Sequence, residues 1–140
     1  MKNICFTILL SFALCGCLKE GKFQEDFHNT SCSENPKKDI LGKWQLVSMA
    51  SVWVSSPIDY SQNNIIYEFK NNNTVVISYD SKEVEYWPLP GKYSYNFEIP
   101  EYGYGIVVAG RNFYDYCISK KVMVISSVAV DGPGLYFKKL

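Results

Sequence analysis

Between residues 40 and 140, apolar side chains recur at every second position in short runs, and each run ends in turn-forming residues. No other feature constrains the fold as much, because a two-residue period places alternate side chains on opposite faces of an extended strand. Lys43-Trp44-Gln45-Leu46-Val47-Ser48 alternates in this way. Ile65-Ile66-Tyr67-Glu68-Phe69 and Thr74-Val75-Val76-Ile77-Ser78-Tyr79 flank Asn71-Asn72-Asn73. Asparagine tolerates the positive φ of a tight turn, so these two runs predict a hairpin. Glu83-Val84-Glu85-Tyr86-Trp87 alternates again and stops at Pro88 and Pro90, which cannot donate to a central ladder. From Gly91 onward, Tyr93, Tyr95, Phe97 and Ile99 share one face. Residues 104–109, 113–119, 122–128 and 135–139 supply four further strands. Their separators are Gly110-Arg111-Asn112, Lys120-Lys121 and Asp131-Gly132-Pro133-Gly134. No stretch of comparable length has a helical stripe, and a short turn near residues 55–61 is the sole exception.

Eight or nine short strands joined by tight turns describe an all-β chain, a small antiparallel meander. An open meander leaves two exposed edges, and closure into a barrel removes them. A two-sheet sandwich is the alternative, which alternation alone does not separate. An aromatic content of 16% suits either β architecture, and 47% hydrophobic residues exclude a wholly disordered chain. A length of 140 residues allows one ordinary domain. With 14 Lys+Arg against 14 Asp+Glu, the net charge argues against nucleic acid as a partner.

Upstream of the strands the texture differs. Residues 1–16 read MKNICFTILLSFALCG, an early lysine followed by an apolar run that is too short to span a bilayer. Its length fits the apolar region of a secretory signal. Leu14-Cys15-Gly16 then precede Cys17, which resembles the bacterial lipobox, with Leu at −3 and a small residue at −1. The resemblance implies cleavage after Gly16, acylation of Cys17 by chains such as palmitate, and a bacterial cell-envelope address as an outer-membrane lipoprotein. The face, periplasmic or surface, stays open. Acylation would hold the domain on a membrane without a spanning helix. Residues 17–39 are polar and without period, so they read as a solvated tether, and His28 reads as an exposed histidine within it.

Of five cysteines, Cys5 and Cys15 would leave with the signal and Cys17 would carry lipid. Cys32 and Cys117 remain. An exported compartment permits a disulfide between them, and two free thiols, with Cys117 a small core residue, is the other outcome. With one histidine, they form no metal-ligand cluster.

Gly42-Lys43-Trp44 at the head of the first strand resembles the N-terminal Gly-x-Trp signature of lipocalins and related calycin barrels. That resemblance implies that Trp44 plugs a closed barrel end and that a basic residue of the last strand, Lys138 or Lys139, covers it. Trp44-Gln45-Leu46-Val47-Ser48, Tyr67-Glu68-Phe69-Lys70-Asn71, Gly91-Lys92-Tyr93 and Tyr136-Phe137-Lys138-Lys139 resemble segments of small lipocalin-like lipoproteins of Bacteroidetes. No Thr-Asp-Tyr motif sits in a turn, and the C-terminal helix of typical barrels has no counterpart. A barrel this small can be filled by side chains instead of holding a cavity.

Chemistry is sparse in residues 40–140. They contain no histidine, so Ser-His and Cys-His catalysis are excluded by count. Gly103-Tyr104-Gly105 lacks the rest of a phosphate-loop pattern, and no cofactor motif is present. Glu83 and Glu85 share one strand face and read as a solvent-facing pair. A non-enzymatic protein is expected. Trp53, Tyr60, Trp87, Tyr102 and Tyr104 lie near strand ends as rim candidates, and Tyr93, Tyr95 and Phe97 point inward as core or cavity wall. The leading expectation is a membrane-anchored module that binds a small apolar or amphipathic ligand at Tyr93, Tyr95, Phe97, Trp87 and Tyr104. The alternative is an accessory envelope lipoprotein that contacts another protein or a glycan through its external face.

Overall fold

A computed structural model describes residues 31–53, 55–80, 82, 84, 86, 88–99, 104–127 and 131–140. The signal and lipobox, Cys17, His28, Glu83, Glu85, Trp87 and Tyr102 lie outside the described residues. A short helix, α1 (Pro36–Asp39), precedes the strands. The strands are β1 (Gly42–Ala50), β2 (Ile58–Asp59), β3 (Ile66–Lys70), β4 (Thr74–Ser78) and β5 (Gly91–Asn96). They continue as β6 (Ile106–Val108), β7 (Arg111–Phe113), β8 (Asp115–Ile118), β9 (Val122–Ser126) and β10 (Gly134–Lys139).

The strands form an antiparallel meander in the order β7-β6-β5-β4-β3-β1-β10-β9-β8, with β2 paired to β1 off the path. The two ends of that order, β7 and β8, are separated in sequence by Tyr114 alone. One bent run therefore pairs with β6 through its first half and with β9 through its second. This change of partner brings the sheet round into a nearly closed barrel and removes most of the edge that an open meander would expose. The sequence read Gly110-Arg111-Asn112 as a separator and residues 113–119 as one strand. The turn is instead Ala109-Gly110, both at positive φ, and Arg111 already belongs to the ladder.

Registers define two poles. At the closed pole lie the start of β1, the end of β3, the end of β10 and the β8–β9 turn, with Trp44 opposite Lys139 and Gly42 opposite Phe69. At the mouth lie the ends of β1 and β9, the starts of β5 and β10, the Ala109-Gly110 turn and the described residues between β4 and β5. The predicted hairpin forms, with Phe69 opposite Val75 and Asn73 at φ 56°. Of the expected strand at residues 83–87, only Val84 and Tyr86 are described; both lie outside any strand, yet both are buried. The short turn expected near 55–61 contains β2, which pairs along the edge of β1, and Tyr60 and Ile65 continue that pairing through backbone hydrogen bonds to Val47 and Leu46. Gln45 is buried there and donates Nε2–H to the Ser61 carbonyl at 2.9 Å.

Inward positions of the staves form one apolar cluster, including Leu46, Tyr67, Phe69, Ile77, Met123 and Phe137. Burial of such side chains contributes about 1.5–3 kcal/mol each. Among the described residues, contacts with the barrel extend to Cys32, upstream of Ile40, where the change in sequence texture set the domain boundary. Cys32 is disulfide-bonded to Cys117, and Ser33 N–H donates to the Ile118 carbonyl at 2.7 Å on the side of β8 away from β9. At the same seam Gly105 has φ 116°, and a Cβ there would meet the Phe113 carbonyl oxygen at 2.7 Å and Ile99 Cδ1 at 2.6 Å, so only glycine fits. Among the described residues no helix is long and apolar enough to cross a membrane.

Candidate functional site

Trp44 sits at the closed pole with no exposed surface. Its indole Nε1–H donates to the Ile40 carbonyl at 2.6 Å, so the tryptophan also fixes the chain leaving α1. Lys139 lies across the ring, with Nζ 4.7 Å from its centroid, and donates to the Asp39 carbonyl at 2.7 Å. Burial lowers the Lys139 pKa, and the nearby Asp39 carboxylate works the other way. Of the two lysines named from sequence, Lys139 is the cover. Lys138 is exposed, because it falls on the opposite parity to the buried Leu135 and Phe137. Gly42 adopts φ 109°, a conformation that favours glycine, although Lys139 Cε would lie 3.6 Å from an added Cβ. Lys139→Met is expected to cost about 1–2 kcal/mol by denaturant titration, through loss of the cation over the ring and of one charged hydrogen bond. Lys138→Met should stay within about 0.5 kcal/mol. Equal effects of the two would remove the covering role from Lys139.

At the mouth, Tyr86 reaches down to Tyr67, and their hydroxyls are 2.8 Å apart. Tyr60 packs edge-on to Tyr86 at 5.3 Å between centroids, and Tyr79 donates its hydroxyl to the Tyr86 carbonyl at 2.7 Å. Tyr60, a rim candidate from sequence, is therefore buried within the plug. Beneath it lies a cavity of about 10 Å³ lined by Tyr67, Tyr86, Pro88, Val108, Phe113 and Leu135, with Arg111 also on its wall. That volume suits about one water molecule and is far too small for an apolar ligand.

Burial holds both phenols protonated. It raises the Tyr67 pKa well above 10.0 with Tyr86 adding to the effect, and it pushes Tyr86 up to about 12 although the Tyr67 hydroxyl bond opposes this. The unfolded chain would lose these protons near the ordinary tyrosine value. The folded state is therefore fully favoured below pH about 10 and loses stability as pH rises towards about 12. For Tyr86 alone the loss is about 3 kcal/mol. Denaturant midpoints that stay flat from pH about 8 to about 12 would contradict this burial.

Tyr93, Tyr95 and Phe97 share the inward parity, as the sequence implied. They serve as wall and wedge. Tyr95 is buried and donates its hydroxyl to the Lys70 carbonyl at 2.7 Å, while Tyr93 is half-buried and donates to the Leu89 carbonyl at 2.8 Å. Phe97 packs edge-on to Tyr116 at 5.6 Å, and Tyr104 stacks on Tyr116 at 5.3 Å with planes 17° apart. These rings fill the seam between the β5–β6 connection and β8. Tyr104 is 53% exposed at its outer end. Trp53 is 79% exposed at the mouth, where its indole donates to the Asp131 carbonyl at 3.1 Å, and Val52 and Leu89 are exposed beside the same connections. The structure thus divides the described ligand candidates, with Tyr93 and Tyr95 in the barrel wall and Phe97 and Tyr104 against Tyr116 at the seam. Sequence reasoning missed the Tyr67–Tyr86 pair. Each parity was readable, but nothing local indicated that the two rings meet.

No family model, curated protein or solved structure matches this chain.

Proposed function

We propose that this chain is a membrane-anchored envelope lipoprotein with a non-enzymatic, lipocalin-like barrel. In this reading it acts as an accessory module and engages another envelope component, protein or glycan, through its external face. The observation that carries this reading is how little space the described residues leave under Tyr86, beside apolar groups exposed at the mouth. The cavity under Tyr86 is about 10 Å³, while Trp53, Val52 and Leu89 stand exposed at the mouth. These three are half of the large apolar side chains exposed among the described residues, and their place at the mouth favours a contact surface there. Lipid attachment at Cys17 is supported by the Leu14-Cys15-Gly16-Cys17 spacing behind a short apolar run. The lipocalin-like reading is supported by the meander barrel and by Trp44 under Lys139.

A photoreactive side chain in place of Trp53 tests the contact surface in intact host cells. One discrete adduct is expected from that position and none from Lys92, which lies mid-barrel opposite Val76. Labelled palmitate should enter the wild-type chain and not Cys17→Ser. A small molecule that co-purifies in stoichiometric amount with the native protein would overturn the accessory reading.

One observation favours a second reading, in which a small apolar or amphipathic ligand occupies the mouth. The mouth is filled by Tyr86 from a connection, not by a stave, so a ligand could take the place of that ring. Saturable binding of a hydrophobic dye to the wild-type protein, enhanced by Tyr86→Ala, would support it. Failure of several apolar probes to bind either protein would rule it out.

A further inference from the structure

A net charge of zero conceals a strong axial separation of charge. On α1, at the closed pole, Lys37 and Lys38 are exposed, and Lys43 opens β1 beside them. Lys70 ends β3 at the same pole. The β8–β9 turn adds Lys120 and Lys121, and Lys139 N–H donates to the Lys121 carbonyl at 2.8 Å. Lys138 and Lys139 close β10 opposite Gln45 and Trp44. All but Lys139 are exposed. Among the described residues, the acids of this pole are Glu34, Asp39, Glu68 and Glu98. Two of them are engaged: Asp39 accepts the Ser33 hydroxyl at 2.5 Å, and Glu68 lies 3.9 Å from Lys70 Nζ. Among the described residues the mouth carries the reverse balance, with Asp59, Asp80, Asp115 and Asp131 against Lys82 and Arg111.

The chain towards Cys17 leaves from the basic pole. Cys32 is bonded to Cys117, and Ser33 pairs with Ile118, next to the β8–β9 turn. Fourteen residues lie between Cys17 and Cys32, a span of at most about 54 Å when fully extended. A lipid anchor at Cys17 would therefore attach the domain through this pole, with a tether long enough for the pole to rest on the bilayer.

We propose that the closed pole docks on an anionic lipid surface, with its lysines on headgroup phosphates. This rests on the lipid-anchor reading for placing the domain at a membrane. Attraction of basic side chains to anionic headgroups acts within about one Debye length, about 8 Å, so lysines gathered at one pole engage together while those at the mouth do not. Acyl chains with a basic patch form the two-signal arrangement that gives stable attachment. Docking also fixes orientation. It turns Trp53 and Leu89 away from the bilayer, towards whatever they contact.

The test places the native full-length lipoprotein on neutral phosphatidylcholine vesicles and on vesicles that also contain phosphatidylglycerol, and measures amine modification of each lysine by mass spectrometry. On the anionic vesicles Lys38, Lys121 and Lys138 are expected to be protected about fivefold, the factor implied by the usual attraction per surface lysine. Lys82 and Lys92 should react equally on both, and salt should abolish the difference. Lys121→Glu combined with Lys138→Glu changes two exposed side chains and should release the remaining pole lysines from protection. Equal modification on the two vesicles, or protection of Lys82 and Lys92 in place of the pole, would overturn the proposal. So would protection by soluble polyphosphate with none on the vesicles. If the intact mass carries no acyl group and the protein leaves neutral vesicles, the anchor reading fails. Protection by added anionic vesicles then still decides the pole.

Discussion

Trp44→Ala is expected to remove about 3–5 kcal/mol of stability, the usual range for truncating a large buried aromatic residue. The ring has no exposed surface, so its loss opens a void where α1, β1 and β10 meet. Two further contacts fail with it. The Ile40 carbonyl loses its indole donor, and Lys139 loses the ring beneath its ammonium group. Urea midpoints with an unchanged slope would report a true stability loss. Trp53→Ala is the control, because that ring is 79% exposed, and its effect should stay below about 1 kcal/mol. A Trp44→Ala effect below about 1 kcal/mol would show that the closed pole is not packed around this residue.

Loss of the Cys32–Cys117 disulfide should be comparably severe. The bond joins residues 85 positions apart, and closing a loop of that length restricts the unfolded chain by about 4–5 kcal/mol in the chain-entropy model. In the folded state it holds residues 32–33 along β8, where Ser33 N–H pairs with the Ile118 carbonyl. Cys32→Ser, Cys117→Ser and the double variant should therefore lose similar amounts, since each removes the same single bond. Reduction of the wild-type protein should match them. An effect below about 1 kcal/mol, or clear additivity of the two substitutions, would argue that the bond contributes little to the fold.

Much of the β architecture is local and was legible for that reason. A period of two requires no knowledge of distant residues, so the staves around Trp44, Tyr67, Val75, Tyr95, Met123 and Phe137 could be read directly. The turn at residues 71–73 was equally local, because a short polar run of asparagines suits positive φ. Residues 83–87 misled for the same reason. Alternation correctly turned Val84 and Tyr86 inward, but burial at every second position does not require a strand, and these two residues are buried outside any ladder. Choosing Lys139 over Lys138 was within reach from parity with Leu135 and Phe137.

The sequence by itself determined the strand period, the turn at residues 71–73 and the inward side of each stave. It also supplied the lipobox-like spacing on which the anchor proposal rests. Each is a property of neighbours along the chain. Only the tertiary structure decided how the meander closes, because the change of partner at Tyr114 depends on β6 and β9 arriving on opposite sides of one bent run. It alone paired Cys32 with Cys117 and brought Tyr86 onto Tyr67. It also decided the charge pattern. All basic and acidic residues of the chain sum to zero in composition, yet antiparallel strands return to the same pole at every second turn and gather most of the lysines from Lys37 to Lys139 at one end. Net charge is a sum over the chain, whereas attraction to a surface falls off within about 8 Å, so where the fold places each charge governs what it can attract.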